Sequence, residues 1–452
     1  MELLFTAMSP PNRISSCSRR EFVRTSALAA GAVALTGPFL CSVRAAEPGA
    51  NSKIRVGLIG AGGMGCGDLV AFLGNPEVEC AVICDVDDAH LKDGVTVCEK
   101  RERKKPDTVK DFRRVLDRKH VDVVIIATPD HWHALPTVLA CQAGKDVYVE
   151  KPLATTIDEG RAMLTAAQKH NRIVQMGSQW KSCQHIIDAA EFVKSGKLGK
   201  VSMVRAWAWL DWQPTMGDLP DAQPPAGVDY DLWLGPAPKR PFNPNRFHYN
   251  FRWFWDYAGG LMTDWGVHLI NMALMGMPPV PPSTVCSSGG TFVQNDMRET
   301  PDTQLAVYEF PDFILEWEHK SGMGVGFNSR SWGVSWSGTE GTIFLNDAGW
   351  ELAIEKRKAS LEPEQHKSSG DPRPAHVRNF LDCVKSRQQP VLNLELGHHV
   401  STVAHLGNIA FRSGHKINWD PVKEKITNHS DADKLVGVKY RKPWSLPYSK
   451  RA

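Results

Sequence analysis

The segment Lys53-Ile-Arg-Val-Gly-Leu-Ile-Gly-Ala-Gly-Gly-Met-Gly65 runs from an apolar, β-branched stretch straight into a glycine triplet, Gly60-x-Gly62-x-x-Gly65. A strand, a tight glycine turn and a helix in that order form the phosphate turn of a dinucleotide-binding fold. Gly60 permits the turn, Gly62 lets backbone approach a pyrophosphate, and Gly65 lets the helix pack closely on the strand. Met64 sits within the same turn. The helix N-terminus then offers unpaired N–H groups to the phosphates. Asp85 follows a second apolar run, Val78–Cys84, about 20 residues on. A carboxylate there can hold both ribose hydroxyls and repels a 2′-phosphate, so the pattern favours NAD over NADP. Asp87 could take the same role.

Working outward, three more apolar runs follow: Val121–Ala127, Asp146–Glu150 and Ile173–Met176, with helix-like spacers at Ala134–Ala143 and Ile157–His170. Continuous apolar strands between helices indicate a parallel sheet buried on both faces. Residues 53–178 therefore read as a Rossmann domain. The pattern then changes. An amphipathic stretch, His185–Ser195, stops at Gly196, and two-residue alternation sets in at Val201–Trp209, Gln304–Phe310 and Ile314–Lys320. Pro-rich loops separate these strands, and helical periodicity returns at His376–Lys385 and Gly397–Ser413. Residues 179–420 thus form a second α/β domain with a large, mostly antiparallel open sheet for substrate binding and oligomerisation. Residues 421–452 read as a C-terminal arm. The fold class is α/β.

Ser18-Arg-Arg-Glu-Phe-Val-Arg24 precedes an apolar run, Thr25–Leu40. This looks like a twin-arginine signal peptide over residues 1–45, with a linker at 46–52. Val43-Arg44-Ala45 offers a cleavage site, and the apolar run is short for a membrane span. The reading is a protein exported already folded, through the twin-arginine machinery, to the periplasm. Without a nicotinamide pool there, the cofactor is expected to travel tightly bound. Five arginines and two glutamates in residues 1–45 account for the net charge of +3, so the remainder is near neutral. That balance does not favour a nucleic-acid or anionic-membrane partner, and no nucleic acid is expected. Of ten cysteines, two lie in the leader and none forms a Cys-x-x-Cys pair, so free thiols are expected, with Cys80 and Cys84 in the core.

Ala127-Thr-Pro-Asp-His-Trp-His133, Val149-Glu-Lys-Pro152, Lys197-Leu-Gly-Lys-Val201, Gly259-Gly-Leu-Met-Thr-Asp-Trp-Gly-Val-His268, Gly338-Thr-Glu-Gly341 and His376-x-x-Asn379-Phe-Leu-Asp382 together resemble the Gfo/Idh/MocA oxidoreductases over most of the chain. The resemblance implies a Rossmann domain followed by a large open sheet, homo-oligomers assembled through such sheets, and sugar or cyclitol substrates. It implies a catalytic Lys151 and a cofactor wall including Thr128, Pro129, His133 and Glu150. In Gly177-Ser-Gln-Trp-Lys181 the chain departs from the family, which often has Arg where Trp180 stands.

Lys151 follows a parallel strand, where side chains converge on the ligand crevice, and can donate to a substrate oxygen as it gains charge. Asp264 and His268 are four apart in a helix-like stretch, Asp264–Met275, with Asn271 one turn on. His268 can act as general base, because an unperturbed imidazole titrates near neutrality. Asp264 could orient its imidazole or bind a sugar hydroxyl. Fifteen tryptophans are many for this length, and Trp255 falls with Arg252 in a stretch suited to pyranose faces and hydroxyls. No metal site is expected: His131 and His133 have no acidic partner spaced with them. The leading reading is an exported NAD-dependent oxidoreductase acting on a sugar, glycoside or cyclitol hydroxyl carbon. A second is redox-neutral, NAD-dependent glycoside cleavage with the same residues. A third is a sugar-binding protein that has lost catalysis.

Overall fold

A computed structural model describes residues 53–101, 104–212, 215–355 and 361–451. Residues 1–52, over which the sequence reads as a signal peptide and linker, lie outside the described residues. The first sheet consists of β1 (Ile54–Ile59), β2 (Val78–Cys84), β3 (Asp107–Val109), β4 (Val123–Ile126), β5 (Asp146–Glu150) and β6 (Val174–Gly177). Its order is β3-β2-β1-β4-β5-β6 and every pairing is parallel. Order reverses between β1 and β4, which opens a crevice at their carboxyl ends. Apart from the exposed edge strand β3, the strands are largely buried because helices cover both faces. One covering helix comes from far along the chain. Val377, Phe380 and Leu381 of Arg373–Ser386 pack with Val56, Leu58, Phe72 and Tyr148, and Arg378 and Lys385 both pair with Glu77. The nucleotide half is therefore not confined to residues 53–178.

The second sheet has ten strands: β7 (Met203–Leu210), β8 (Thr284–Gly290), β9 (Thr303–Glu309), β10 (Ile314–Ser321), β11 (Trp332–Ser337), β12 (Gly341–Asn346), β13 (Gly349–Ile354), β14 (Glu364–Lys367), β15 (Ile417–Asp420) and β16 (Lys425–Ile426). They are ordered β14-β13-β12-β11-β7-β10-β9-β8-β15-β16. Only β7 and β10 pair in parallel; the rest are antiparallel. Alternation divides its faces. Val204, Ala206, Leu315, Trp317, Val334 and Trp336 are fully buried against helices, each large side chain contributing about 1.5–3 kcal/mol by leaving water. Met203, Leu305 and Ile314 on the opposite face are exposed. The eight described cysteines form no disulfide, and Cys80 and Cys84 are core residues. No described helix is long and apolar enough to cross a membrane.

Helix Gly266–Met275 lies on the inner face, fixed by Trp336 Nε1 donating to the Ala273 carbonyl (2.9 Å). The sequence pattern over Asp264–Met275 reads as one helix; the chain instead forms two, Gly260–Asp264 and Gly266–Met275, meeting at Trp265. Asp264 therefore ends one helix while His268 lies in the first turn of the next.

Candidate active site

A cleft of about 540 Å³ runs from the glycine turn, past the ends of β4 and β5, to Lys151 and Asp264. At one end Gly60 has φ +90°, a conformation that suits glycine, and a Cβ there would lie 2.6 Å from the Ala127 carbonyl oxygen. A Cβ on Gly65 would lie 1.9 Å from the Gly60 carbonyl oxygen. Gly62 and Gly63 face open space or only the edge of His90, so bare backbone borders the cleft. Helix Gly63–Leu73 has no capping side chain and no acidic residue in its first turn, which leaves its positive end free for a pyrophosphate. These features fit a dinucleotide.

Asp85 lines the cleft, and its carboxylate accepts from the N–H groups of Ala61 (2.7 Å) and Asp87 (3.0 Å), tying β2 to the turn. Asp87 is used otherwise. It caps helix Asp88–Lys100 through the Ala89 N–H (2.8 Å) and contacts His248 Nε2 (2.8 Å). Met64, Thr128, Pro129, His133 and Glu150 also line the cleft. His133 braces two strand ends, its ring nitrogens lying 2.6 Å from the Pro152 carbonyl oxygen and 2.8 Å from that of Thr128. Burial pushes the Glu150 carboxyl up to about 7, and its buried neighbour Asp68 is pushed higher still than an ordinary carboxyl.

At the other end, Lys151 Nζ donates to Asp264 Oδ1 (2.7 Å) and to the Asp264 carbonyl (2.9 Å). Arg252 Nη1 donates to Asp264 Oδ2 (2.6 Å). Despite burial, these two cations hold the Asp264 carboxyl well below the usual carboxylate range. Asp264 thus bridges Lys151 and Arg252 and does not orient the imidazole as the sequence spacing suggested. His268 is oriented by Ser178, whose Oγ lies 2.9 Å from Nδ1, and Asn271 Nδ2 stands behind at 3.4 Å from the same oxygen. Asn271 is buried behind the histidine and away from the cleft wall. Burial, then the Lys151 charge, pushes the His268 imidazole down to about 3, so it stays neutral near pH 7. Its ring is 4.9 Å from Trp180, which stacks on Trp332 at 4.6 Å.

Trp255 lies elsewhere. It lines a separate cavity of about 300 Å³ with Arg412 over its ring and Nε1 bonded to the Glu299 carbonyl. Its irregular loop carries no periodicity from which that direction could be read. His131 faces the same second cavity while its Nε2 lies 3.0 Å from the Trp233 carbonyl oxygen, so His131 and His133 do not converge on a common point. Two residues of the site escaped sequence reasoning: Ser178, buried behind His268, and Asp130, which lines the cleft. Both sit inside motifs noted for other residues; for Ser178 the available signal was a polar side chain directly after a parallel strand, whereas Asp130 stands in the turn beyond the end of β4.

The described geometry agrees with comparisons to known proteins. Residues 54–178 match the model of an oxidoreductase family's NAD-binding Rossmann fold, and residues 176–275 and 349–446 match the same family's C-terminal alpha/beta domain. A glycosyl hydrolase family 109 protein of Shewanella pealeana is 27% identical over 201 residues, covering 41% of this chain and 44% of that protein. Levoglucosan dehydrogenase of Pseudarthrobacter phenanthrenivorans is 32% identical over 102 residues, covering 23% of this chain and 26% of the relative. The chain thus spans less than half the length of these curated relatives. A levoglucosan dehydrogenase structure in complex with NADH and levoglucosan superposes with a TM-score of 0.62 at 18% identity, covering 81% of this chain and 99% of that one, which establishes the shared fold. With both domains matched in order and a cleft shaped for a dinucleotide, the chain belongs to the Gfo/Idh/MocA family of NAD-binding oxidoreductases.

Proposed function

We propose that this enzyme oxidises a hydroxyl carbon of a sugar, glycoside or cyclitol. The observation that carries the reading is the Lys151–Asp264–Arg252 cluster beside a neutral His268, at the end of a cleft that begins at the glycine turn. The glycine turn and Asp85 would hold NAD, which supplies the acceptor for the hydrogen leaving the carbon as hydride. His268 takes the hydroxyl proton; to do so through Nε2 it carries its own proton on Nδ1 and donates it to Ser178. Lys151 stabilises the developing alkoxide, and Asp264 fixes the ammonium without neutralising it away, because it is shared with Arg252. Trp180 supplies an apolar face next to the base. Lys151→Ala and His268→Ala are expected to lower kcat by at least a hundredfold with folding and nucleotide retention unchanged. Near wild-type turnover in both would remove the assignment.

A second reading is favoured by the family 109 glycosyl hydrolase relative: transient oxidation of a ring carbon, elimination of the aglycone, addition of water and re-reduction, which cleave a glycoside without net redox change. Product analysis separates the two, a keto-sugar supporting oxidation and a released aglycone without keto product supporting cleavage. The Ser18–Arg24 segment and its apolar run support export by the twin-arginine pathway to the periplasm with NAD resident. Mass spectrometry of nucleotide released on denaturing the exported protein tests residency. The outer face of the second sheet supports a homo-oligomer: exposed Met203, Leu305 and Ile314 stand beside the Arg205–Glu316 pair on adjacent strands. Light scattering reads the subunit number.

A further inference from the structure

Asp130 opens the short turn Asp130–Trp132 after β4, and the turn is anchored by the His131 N–H donating to the Tyr257 carbonyl (3.1 Å). The side chain lines the cleft and the residue is only 7% exposed. The charges that act on it are those of Lys151, Asp264 and Arg252, and Tyr249 and the neutral His133 line the same cleft. Lys151 and Arg252 spend their side-chain bonds on Asp264 or, for Arg252, also on the Tyr249 carbonyl. Among the described residues no other side chain donates to the Asp130 carboxyl. An ionised carboxylate buried with only the N–H of its own residue to donate to it is disfavoured, whereas the neutral acid needs one acceptor. Burial accordingly raises this carboxyl to about 8, with Lys151 opposing the shift and Asp264 adding to it.

An ordinary carboxylate would serve a sugar hydroxyl well, since a hydroxyl can donate to it. What distinguishes the neutral acid is its O–H, which serves an oxygen that carries no hydrogen. We propose that Asp130 is a substrate-contacting residue whose carboxyl O–H donates to an acetal oxygen, ring or glycosidic, so that the site takes pyranosides or anhydro-sugars in preference to cyclitols. This rests on the sugar reading of the cleft and narrows it.

The test uses NADH-loaded wild type, Asp130→Asn and Asp130→Ala. Titration calorimetry from pH 6.5 to 9.5 employs levoglucosan and methyl β-glucopyranoside against myo-inositol and 5a-carba-glucose, which has CH₂ for the ring oxygen. Wild type should prefer the acetals by about tenfold and lose that affinity about tenfold per pH unit above about 8. Asp130→Asn, which still donates but does not ionise, should keep the preference with a flat profile, and Asp130→Ala should lose it. Equal binding of inositol or carba-glucose, or a preference surviving in Asp130→Ala, overturns the proposal. Infrared difference spectra provide a readout without sugar: wild type minus Asp130→Asn should leave a protonated-carboxyl band at pH 7 beyond those of Asp68 and Glu150, which both proteins share. Absence of that band from wild type also overturns it. If the band is present and none of the four compounds binds, the sugar reading fails and takes the acetal contact with it, while the neutral acid stands.

Discussion

Replacing Asp264 with Asn tests the charge logic of the site most directly. The carboxylate is shared by Lys151 at 2.7 Å and Arg252 at 2.6 Å, with side chains only 10% and 18% exposed. At an effective dielectric of about 20, each such contact is worth roughly 6 kcal/mol before desolvation, and much of that offsets the burial of three charges. Removing the shared partner leaves two adjacent buried cations, and the expected loss of stability is about 3–5 kcal/mol. Lys151→Met alone should cost less, because Asp264 keeps Arg252. The double variant should recover at least about 1.5 kcal/mol relative to the sum of the singles. Urea unfolding of all four proteins measures this, provided the slopes agree. The pH dependence has a defined sign. The folded carboxyl lies below its unfolded value of about 3.9, so its stabilisation is fully present above that value and is lost as pH falls through the folded one. The gap between wild type and Asp264→Asn should therefore be constant from pH 7 to 5 and narrow only below about 4. Additivity within about 0.5 kcal/mol, or a gap that closes near neutrality, would refute the bridge.

Gly65→Ala should abolish nucleotide retention, because its methyl would collide with the Gly60 carbonyl; stoichiometric NAD in the purified variant would contradict this. Ser178→Ala removes the group that fixes the His268 ring and should lower kcat about five- to tenfold without changing nucleotide content, as read by steady-state kinetics and mass spectrometry. His131, His319, His376 and His405 are each buried with one ring nitrogen on a backbone carbonyl, and burial pushes each down to about 4. Their folded values lie below the unfolded one, so the unfolded chain binds more protons and stability should fall as pH drops from about 6.5 toward 4, by up to about 1.4 kcal/mol per pH unit for each ring. Urea midpoints that are flat between pH 7 and 5 would contradict that reading.

The nucleotide half was legible because its signals are local. A β-branched run, a glycine triplet and an acid at the next strand end are fixed by backbone geometry within some 30 residues. Lys151 was legible for the same reason, standing one residue past a parallel strand. The partners of Asp264 were not: helical spacing pointed at His268, but the break at Trp265 and the approach of Arg252 and Lys151 from other elements decide what the carboxylate touches. Trp255 was misplaced because an irregular loop carries no period from which to read a side chain's direction. Asp130 escaped because its weight comes from burial and missing donors, neither of which is written in spacing. In the second sheet, β8 contains Ser and Gly where alternation would show, so it was invisible to a hydrophobic pattern.

The helix Arg373–Ser386, which covers one face of the first sheet, also governs when the protein can fold. β6 ends at Gly177, yet the cover over Val56, Leu58 and Phe72 stays incomplete until Val377, Phe380 and Leu381 have left the ribosome. At about 5–20 residues per second, the roughly 200 intervening residues take on the order of 10–40 s. For that time a nascent chain carries a finished parallel sheet with an apolar flank in water, the state most open to aggregation and to chaperone capture. A fragment ending at residue 178 would make that exposure permanent, so the nucleotide half should not be separable as a soluble piece. Folding of this chain is thereby tied to completion of its synthesis.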